Sequence, residues 1–338
     1  MSEKPFDPIK PWFKSAQDSG EYIGIRFGRI PTGSTTPEWI FLPHSEVDGI
    51  GGFADILRKR GVDLCRLPQI KHPSEPSRLA VLKTFPKFLQ PRRKLKWRTL
   101  DGATRLSTAT EEPTAVAWHV FSETTTTQIR RVCRKANITV NSFLVKHLTK
   151  AIRPYLQDEA AIVPWMIPVN LRGKITRDSD VDNHSSFITL RVASYDTLRD
   201  VHKKIYAQLA AGNHWANWFA YDSSRFLSPG IIRYLVDSEK YMPVWHIGSF
   251  SNLGDWDAEK SITQKGCDGD WLFCPPVLRV QHLGTGCMTF QNRLSLMIQA
   301  HPELTTSPAA PKAWVQNWVK EIEMDLASIL AERGSAIH

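Results

Sequence analysis

The chain has 338 residues, of which 42% are hydrophobic and 23% charged, a balance typical of a globular protein with a sizeable core. Its net charge of +9 predicts an anionic partner without identifying one. No apolar run is long enough to cross a bilayer, and the polar, proline-broken N-terminus lacks the apolar stretch of a signal peptide. The five scattered cysteines form no C-x-x-C pair, which favours reduced thiols in a cytoplasmic protein and predicts no metal site.

The first predicted elements flank a histidine motif. Two strands, over residues 22–30 and 39–44, are joined by the turn-forming sequence PTGSTTP, and a helix follows over residues 50–60. Between the second strand and the helix the chain reads H-x-x-x-D-G, with His44, Asp48 and Gly49. A histidine at such a sharp turn, with a carboxylate four residues later, is a plausible general base.

After a connecting segment rich in proline and basic residues, with one predicted helix near residues 77–89, strands and helices alternate. Ser122 is a candidate N-cap for one helix, and Thr139 or Asn141 for the next, over residues 142–156. The predicted strands cover residues 114–121, 162–170, 187–192, 244–250, 277–282 and 294–300, and the later helices cover residues 195–211, 230–238 and 314–330. No glycine-rich phosphate loop is present, so the pattern favours an α/β sandwich with mixed sheets over a nucleotide-binding fold.

The motif at His44 resembles the H-H-x-x-x-D-G motif of the chloramphenicol acetyltransferase-like (CAT-like) acyltransferases. This superfamily includes the condensation domains of peptide synthetases, the wax ester synthases and the plant alcohol acyltransferases. Pro43 replaces the first histidine, and His44 matches the second, which is usually the catalytic one.

Later segments resemble the same superfamily in the same order, over roughly residues 36–300. The helix opening NITVNSFLVKHLTKAI and the strand ending IPVNLRG are similar to conserved segments of these acyltransferases. Asn183 stands where many members carry an asparagine before a strand, and GSFSNLGDWD resembles their S-N-x-G segment. The resemblance implies a CAT-like two-lobe α/β sandwich, with an unusually short N-terminal lobe because only 43 residues precede His44.

Three regions follow from this resemblance: a reduced N-terminal lobe at 1–68, a basic, proline-rich crossover at 69–113 and a C-terminal CAT-like lobe at 114–338. We expect the short first lobe to consist of a hairpin and a helix. Either an oligomer partner completes it, or the substrate cleft is more open than usual.

The chemistry that the resemblance implies is acyl transfer from a thioester to a hydroxyl or amine, with His44 as general base. Coenzyme A or a carrier protein would bring the acyl group as a co-substrate, with no permanently bound cofactor. Asp48 would be structural and pair with an arginine, Arg172 first and Arg26 second. Gly49 would let the backbone turn without a side-chain clash.

Further candidate site residues come from the later segments. Ser251 and Asn252 are candidate donors to the oxyanion of the tetrahedral intermediate, or else residues of a turn. Asn170, Trp245 and Phe250 are candidate substrate contacts. The alternative for Asn170 is that it fixes the local backbone, and the alternative for Trp245 and Phe250 is core packing.

A basic run with interleaved aromatic residues lies in the crossover, and it comprises Lys83, Lys87, Arg92, Arg93, Lys94, Lys96 and Arg98. This run could bind an anionic membrane surface, the phosphates of coenzyme A or an acidic carrier protein. The alternative is a solvated connector with no binding role. No motif supports nucleic-acid binding. We expect a cytoplasmic acyltransferase. Contact with a membrane surface and self-association are both left open. The alternative is a non-catalytic condensation-like module that binds an acyl ligand or a partner protein.

Overall fold

The computed structural model describes residues 7–64, 67–69, 95–103, 115–159, 161–237, 246–256 and 268–334. The described chain has a mixed α/β architecture built on two sheets, which confirms the predicted fold class. The strands are β1 (Gly24–Ile30), β2 (Glu38–Pro43), β3 (Val116–Val120), β4 (Val163–Asn170), β5 (Ser185–Val192), β6 (Gly248–Asp255), β7 (Asp270–Cys274), β8 (Leu283–Phe290) and β9 (Arg293–Ala300). The helices are α1 (Lys10–Asp18), α2 (Gly49–Lys59), α3 (Glu123–Ala136), α4 (Val140–Ile152), α5 (Leu198–Ala210), α6 (Asn213–Asp222), α7 (Pro229–Asp237) and α8 (Ala309–Gly334).

Two predicted helix starts are confirmed by side-chain caps. The Ser122 hydroxyl accepts a hydrogen bond from the Thr125 amide at the start of α3, and Thr139 caps α4 through the Ser142 amide. Each cap satisfies an amide that the helix itself leaves without a partner. The helix predicted near residues 77–89, and most of the crossover, lie outside the described residues.

The larger sheet has the order β3-β9-β8-β6-β4-β5 and one face packed against helices. On that core face, the Trp165 indole donates to Thr149 of α4 at 2.8 Å, and the Trp318 indole of α8 donates to the Leu144 carbonyl at 2.9 Å. These bonds let large aromatic side chains be buried without losing a hydrogen-bond partner. The opposite face turns toward the smaller sheet, and we call it the cleft face.

The smaller sheet has the order β2-β1-β7, so it contains more than the predicted hairpin. Strand β7, from the C-terminal half of the chain, pairs antiparallel with β1 through Phe27 and Phe273 among others. The expectation of a lobe built only from a hairpin and a helix is therefore wrong, because a distant strand completes the sheet. The boundaries 1–68, 69–113 and 114–338 stay a prediction.

Strand β8 was not predicted, and the strand expected at residues 277–282 is not formed as such. The cause is a close crossing of β7 over β8. A Cβ on Gly286 would lie 1.8 Å from the Phe273 carbonyl oxygen, and one on Gly284 would lie 2.3 Å from that of Pro275. These glycines weaken the strand signal of β8 but allow the backbones to approach. No helix of the described chain is long and apolar enough to cross a membrane.

Candidate active site

His44 directly follows β2, and its own backbone is held on two sides. Its amide donates to the Ile23 carbonyl at 3.1 Å, and its carbonyl accepts from the Asn183 side chain at 3.1 Å. The ring atom Nδ1 lies 2.8 Å from the Val47 carbonyl oxygen. Because a carbonyl only accepts, Nδ1 carries the hydrogen and Nε2 of the neutral ring keeps its lone pair.

The His44 ring is half-buried and packs against an aromatic ring from α1. The ring centroids of His44 and Phe13 are 4.8 Å apart. Burial lowers the pKa of His44 below its ordinary value, against smaller opposing contributions from the Val47 hydrogen bond and the charge of Asp48. The imidazole is therefore neutral at pH 7 and able to accept a proton at Nε2.

Asp48 is buried and forms a bidentate ion pair with Arg172, both N–O distances being 2.8 Å. Its carboxylate also accepts from the amides of Gly51 and His184, at 2.8 and 2.9 Å, and from the Ser185 hydroxyl at 3.2 Å. Burial alone would raise the pKa of Asp48, but Arg172 and these hydrogen bonds together hold it below its ordinary value. The carboxylate thus joins the start of α2 to the β4 end and the β5 start.

Gly49 of the motif and Gly51 of α2 are both explained by close packing. A Cβ on Gly49 would lie 2.7 Å from the Leu253 side chain and 2.9 Å from that of Phe273. A Cβ on Gly51 would lie 2.0 Å from the Val181 carbonyl oxygen. The backbone turn expected at Gly49 needs no left-handed conformation, since Gly49 is not among the glycines with positive φ.

Asn170 supports Arg172 rather than an open substrate surface. Its side-chain oxygen accepts from the Arg172 amide at 3.0 Å and from the guanidinium at 3.2 Å, while its amide donates to the Pro68 carbonyl at 2.6 Å. These contacts engage both ends of the side chain and favour the predicted alternative, in which Asn170 fixes the local backbone, over a substrate contact. Arg26, the second candidate partner of Asp48, instead lies over the rings of Trp39 and Phe41.

The two candidate oxyanion donors differ in their contacts. The Asn252 amide donates to Asn141 at 2.6 Å, and its oxygen accepts from the Gly254 amide at 2.8 Å. These contacts hold the Asn252 side chain toward α4, on the face of β6 opposite Ser251, and favour the local structural alternative over its predicted role as a donor. Ser251 is only 8% exposed and lies on the cleft face, because the neighbouring Phe250 packs against Trp318 on the core face.

The remaining candidate substrate contacts are not brought to the site. Phe250 is 1% exposed and belongs to the core beneath α8, so its predicted substrate role is corrected to packing. Trp245 lies outside the described residues. Among the described residues, no cluster of three or more His, Cys, Asp or Glu side chains is placed to hold a metal ion.

The sequence analysis missed Phe13 and Ser185, which contact His44 and Asp48 respectively. Ser185 could have been found from the sequence, because it lies two residues after Asn183, the residue that the resemblance placed just before a strand. Phe13 offered none, since it lies in a helix that was not predicted.

Comparison with solved structures gives the fold. The chain aligns with the condensation domain of the monacolin K polyketide synthase MokA over 87% of its own length and 70% of that chain, with 11% identity and a TM-score of 0.54. The chain has the condensation-domain fold. The predicted CAT-like architecture is therefore confirmed, although no family model and no curated protein sequence matches the chain.

Two further structures share the condensation-domain fold with this chain. Polyketide synthase associated protein 5 from Mycobacterium tuberculosis aligns over 87% of this chain and 74% of its own, with 13% identity and a TM-score of 0.53. The trichothecene 15-O-acetyltransferase from Fusarium sporotrichioides aligns over 86% of this chain and 67% of its own, with 12% identity and a TM-score of 0.50. At these identities the likeness concerns the fold alone.

Proposed function

We propose that this protein is an acyltransferase that moves an acyl group from a thioester to a hydroxyl or amine, with His44 as general base. The observation that carries the proposal is the orientation of the His44 ring. Its Nδ1–H is fixed on the Val47 carbonyl, and Nε2 is left as the basic atom of a neutral imidazole. A general base of this kind typically contributes about a hundredfold to ten-thousandfold in rate.

The reaction needs one proton to be taken and returned. His44 Nε2 takes the proton of the acceptor hydroxyl or amine as the acceptor atom forms a bond to the thioester carbonyl carbon. The tetrahedral intermediate then breaks its carbon–sulfur bond, and the protonated Nε2 gives the proton to the leaving thiolate. The nearby charge of Asp48 favours the transient imidazolium, although Asp48 itself stays paired with Arg172.

Ser251 is the proposed hydrogen-bond donor to the oxyanion of the intermediate. Its position on the cleft face supports this role, and its side chain is shielded from bulk water, where one hydrogen bond to a developing charge counts most. Coenzyme A or an acyl carrier protein is the proposed donor carrier. The fold is shared with a condensation domain from a polyketide synthase, which makes a carrier-bound thioester a reasonable donor.

The test is thioester consumption in the presence of pooled alcohols and amines, followed by mass spectrometry of the products. His44→Ala should abolish acceptor-dependent turnover, whereas His119→Ala, a half-buried histidine of β3, should not. A folded His44→Ala variant with full activity contradicts the proposed base.

A non-catalytic acyl-binding or docking module is the second candidate. Pro43 in place of the first motif histidine, together with the small N-terminal sheet, favours it. Retention of a bound acyl thioester without turnover by the wild-type protein would support this alternative.

A further inference from the structure

Strand β4 is an interior strand of the larger sheet, yet one of its faces is incompletely covered. Its residues Trp165, Ile167 and Val169 are at most 9% exposed on the core face, while Met166 and Pro168 are half-buried on the cleft face. Met166 and Pro168 are therefore partly accessible on this face, although β4 has a neighbouring strand on each side. The half-buried residues of the adjacent β5 continue this surface.

One row of residues crosses the cleft face from β6 through β4 to β5. Met166 is in register with Ser249 on one side and with Thr189 on the other. Ser249 lies on this face because its neighbour Phe250 points into the core. The row ends at His246, whose Nε2 lies 2.9 Å from the Thr189 hydroxyl.

The Ser249 hydroxyl is a buried polar group with an unmet hydrogen-bonding capacity. The residue is 2% exposed, and its Oγ has no hydrogen-bond partner within the described part of the chain. Leaving such a group unsatisfied is costly, and native proteins generally provide it with a partner. A polar atom of a ligand in the cleft would be such a partner.

The row lies at a defined distance from the proposed reaction site. Along β5, Ser185 contacts Asp48 and Thr189 lies four residues further, on the same face. Four residues of extended strand span about 13 Å. A ligand lying along β5, with its reacting end beside the motif, therefore needs that length to reach the row.

Aromatic side chains line this path. Phe187 lies between the two ends and contacts Tyr221 at 6.2 Å and His246 at 5.8 Å between ring centroids. Tyr221 contacts Trp12 of α1 at 6.5 Å, next in sequence to the Phe13 that covers His44. Planar apolar ligands pack well against rings arranged edge to face.

We infer that the cleft selects an elongated aromatic alcohol or amine with a second polar group at its far end, which hydrogen-bonds to Ser249. The reacting hydroxyl or amine would lie at the His44 end, and the aromatic body would lie along Phe187 and Trp12. The assignment of this ligand as the acyl acceptor rests on the proposed function, whereas its binding does not.

Helix α1 supplies part of this selectivity because it is anchored to the C-terminal half of the chain. Arg177 pairs with Asp7 at 3.0 Å, and the Ser224 hydroxyl donates to the Pro8 carbonyl at 3.0 Å. These contacts anchor the segment just before α1, whose Trp12 packs edge to face against Tyr221. In the inferred binding mode Trp12 forms one wall of the path, so replacing it should reduce discrimination between ring systems and flexible chains.

The test is titration calorimetry with three probes: biphenylmethanol, the same molecule with a hydroxyl at the far para position, and a straight-chain ten-carbon diol. We expect wild-type protein to bind the hydroxylated biphenyl about 2- to 10-fold more tightly than biphenylmethanol, the contribution of one neutral hydrogen bond. Ser249→Ala should abolish that difference. Trp12→Leu should reduce the preference of the protein for the hydroxylated biphenyl over the diol.

Thr285→Val is the matched control, because the Thr285 hydroxyl is also buried without a described partner but pairs in register with Phe250 on the core face. It should keep the wild-type difference between the two biphenyls. No binding of either biphenyl, equal affinities in the wild type, or an unchanged difference in Ser249→Ala would overturn the inference. Binding selectivity without acyl transfer would instead refute the proposed reaction and leave the ligand site standing.

Discussion

The carboxylate of Asp48 and the guanidinium of Arg172 share two hydrogen bonds of 2.8 Å across 124 residues of sequence. Both side chains are at most 4% exposed. This pair fixes the turn that carries His44 against the end of β4, and so links the small sheet to the large one. We expect its contribution to be to stability and geometry, with the proposed proton transfer made by His44.

Arg172→Met should destabilise the protein by about 3–5 kcal/mol, because it leaves the buried Asp48 carboxylate without its counter-charge. Urea denaturation at pH 7 measures the change. The exposed pair of Arg58 and Asp180 provides the control, since Asp180→Asn should cost less than about 1 kcal/mol. A loss in Arg172→Met no larger than that of the control would show that the ion pair does not hold the two sheets together.

The same pair predicts a dependence of stability on acid pH. The pKa of Asp48 is lower in the folded protein than in the unfolded chain, so its contribution is present above the unfolded value of about 3.9. As pH falls through that value and toward the folded one, the unfolded chain takes up the proton first and this stability is lost. The stability difference between wild type and Asp48→Asn should therefore shrink below about pH 4. A difference that stays constant down to pH 2 would contradict the assignment.

Phe13→Ala should shift the acid limb of the pH–rate profile to higher pH. Burial lowers the pKa of His44, and removing the Phe13 ring lets water reach the imidazole, so the pKa should rise toward its ordinary value near 6.5. The variant should then lose activity at a higher pH than wild type during acidification, with a smaller change near pH 8. An unshifted profile would mean that Phe13 does not control the hydration of His44.

The sequence predicted the features that are determined by residues close together in the chain, and it missed those that depend on residues far apart. The caps at Ser122 and Thr139 are set by side chains three residues from their targets; Ser122 was predicted, and Thr139 was one of two predicted candidates for its helix. The turn that carries His44 was likewise predicted from a short stretch of sequence. Strand β8 was missed because it contains Gly284 and Gly286, two glycines that weaken the strand pattern. They are required by the close approach of β7, which no local pattern reveals. The placement of Phe13 over His44 is also non-local, and no short pattern encodes it.

Gly286→Ala should be strongly destabilising, because its Cβ would meet the Phe273 carbonyl oxygen at 1.8 Å. Moving the β7 backbone away would disturb both sheets at once, and overpacking of this kind typically costs about 1–3 kcal/mol or more. Gly230→Ala is the control, since the nearest atom to its added Cβ is 3.9 Å away. Thermal unfolding of both variants measures the contrast, and equal melting temperatures would refute the close crossing.

Ser251→Ala and Asn252→Ala should separate transition-state stabilisation from turn chemistry. Loss of an oxyanion donor typically lowers kcat by about a hundredfold to a thousandfold, so Ser251→Ala should slow single-turnover acyl transfer with little loss of stability. Asn252→Ala breaks its bonds to Asn141 and Gly254, and should mainly cost about 1 kcal/mol of folding free energy. Rates measured at saturating thioester, with denaturation curves for both variants, distinguish the two effects. If Asn252→Ala slows the chemical step and Ser251→Ala does not, the donor has been assigned to the wrong residue.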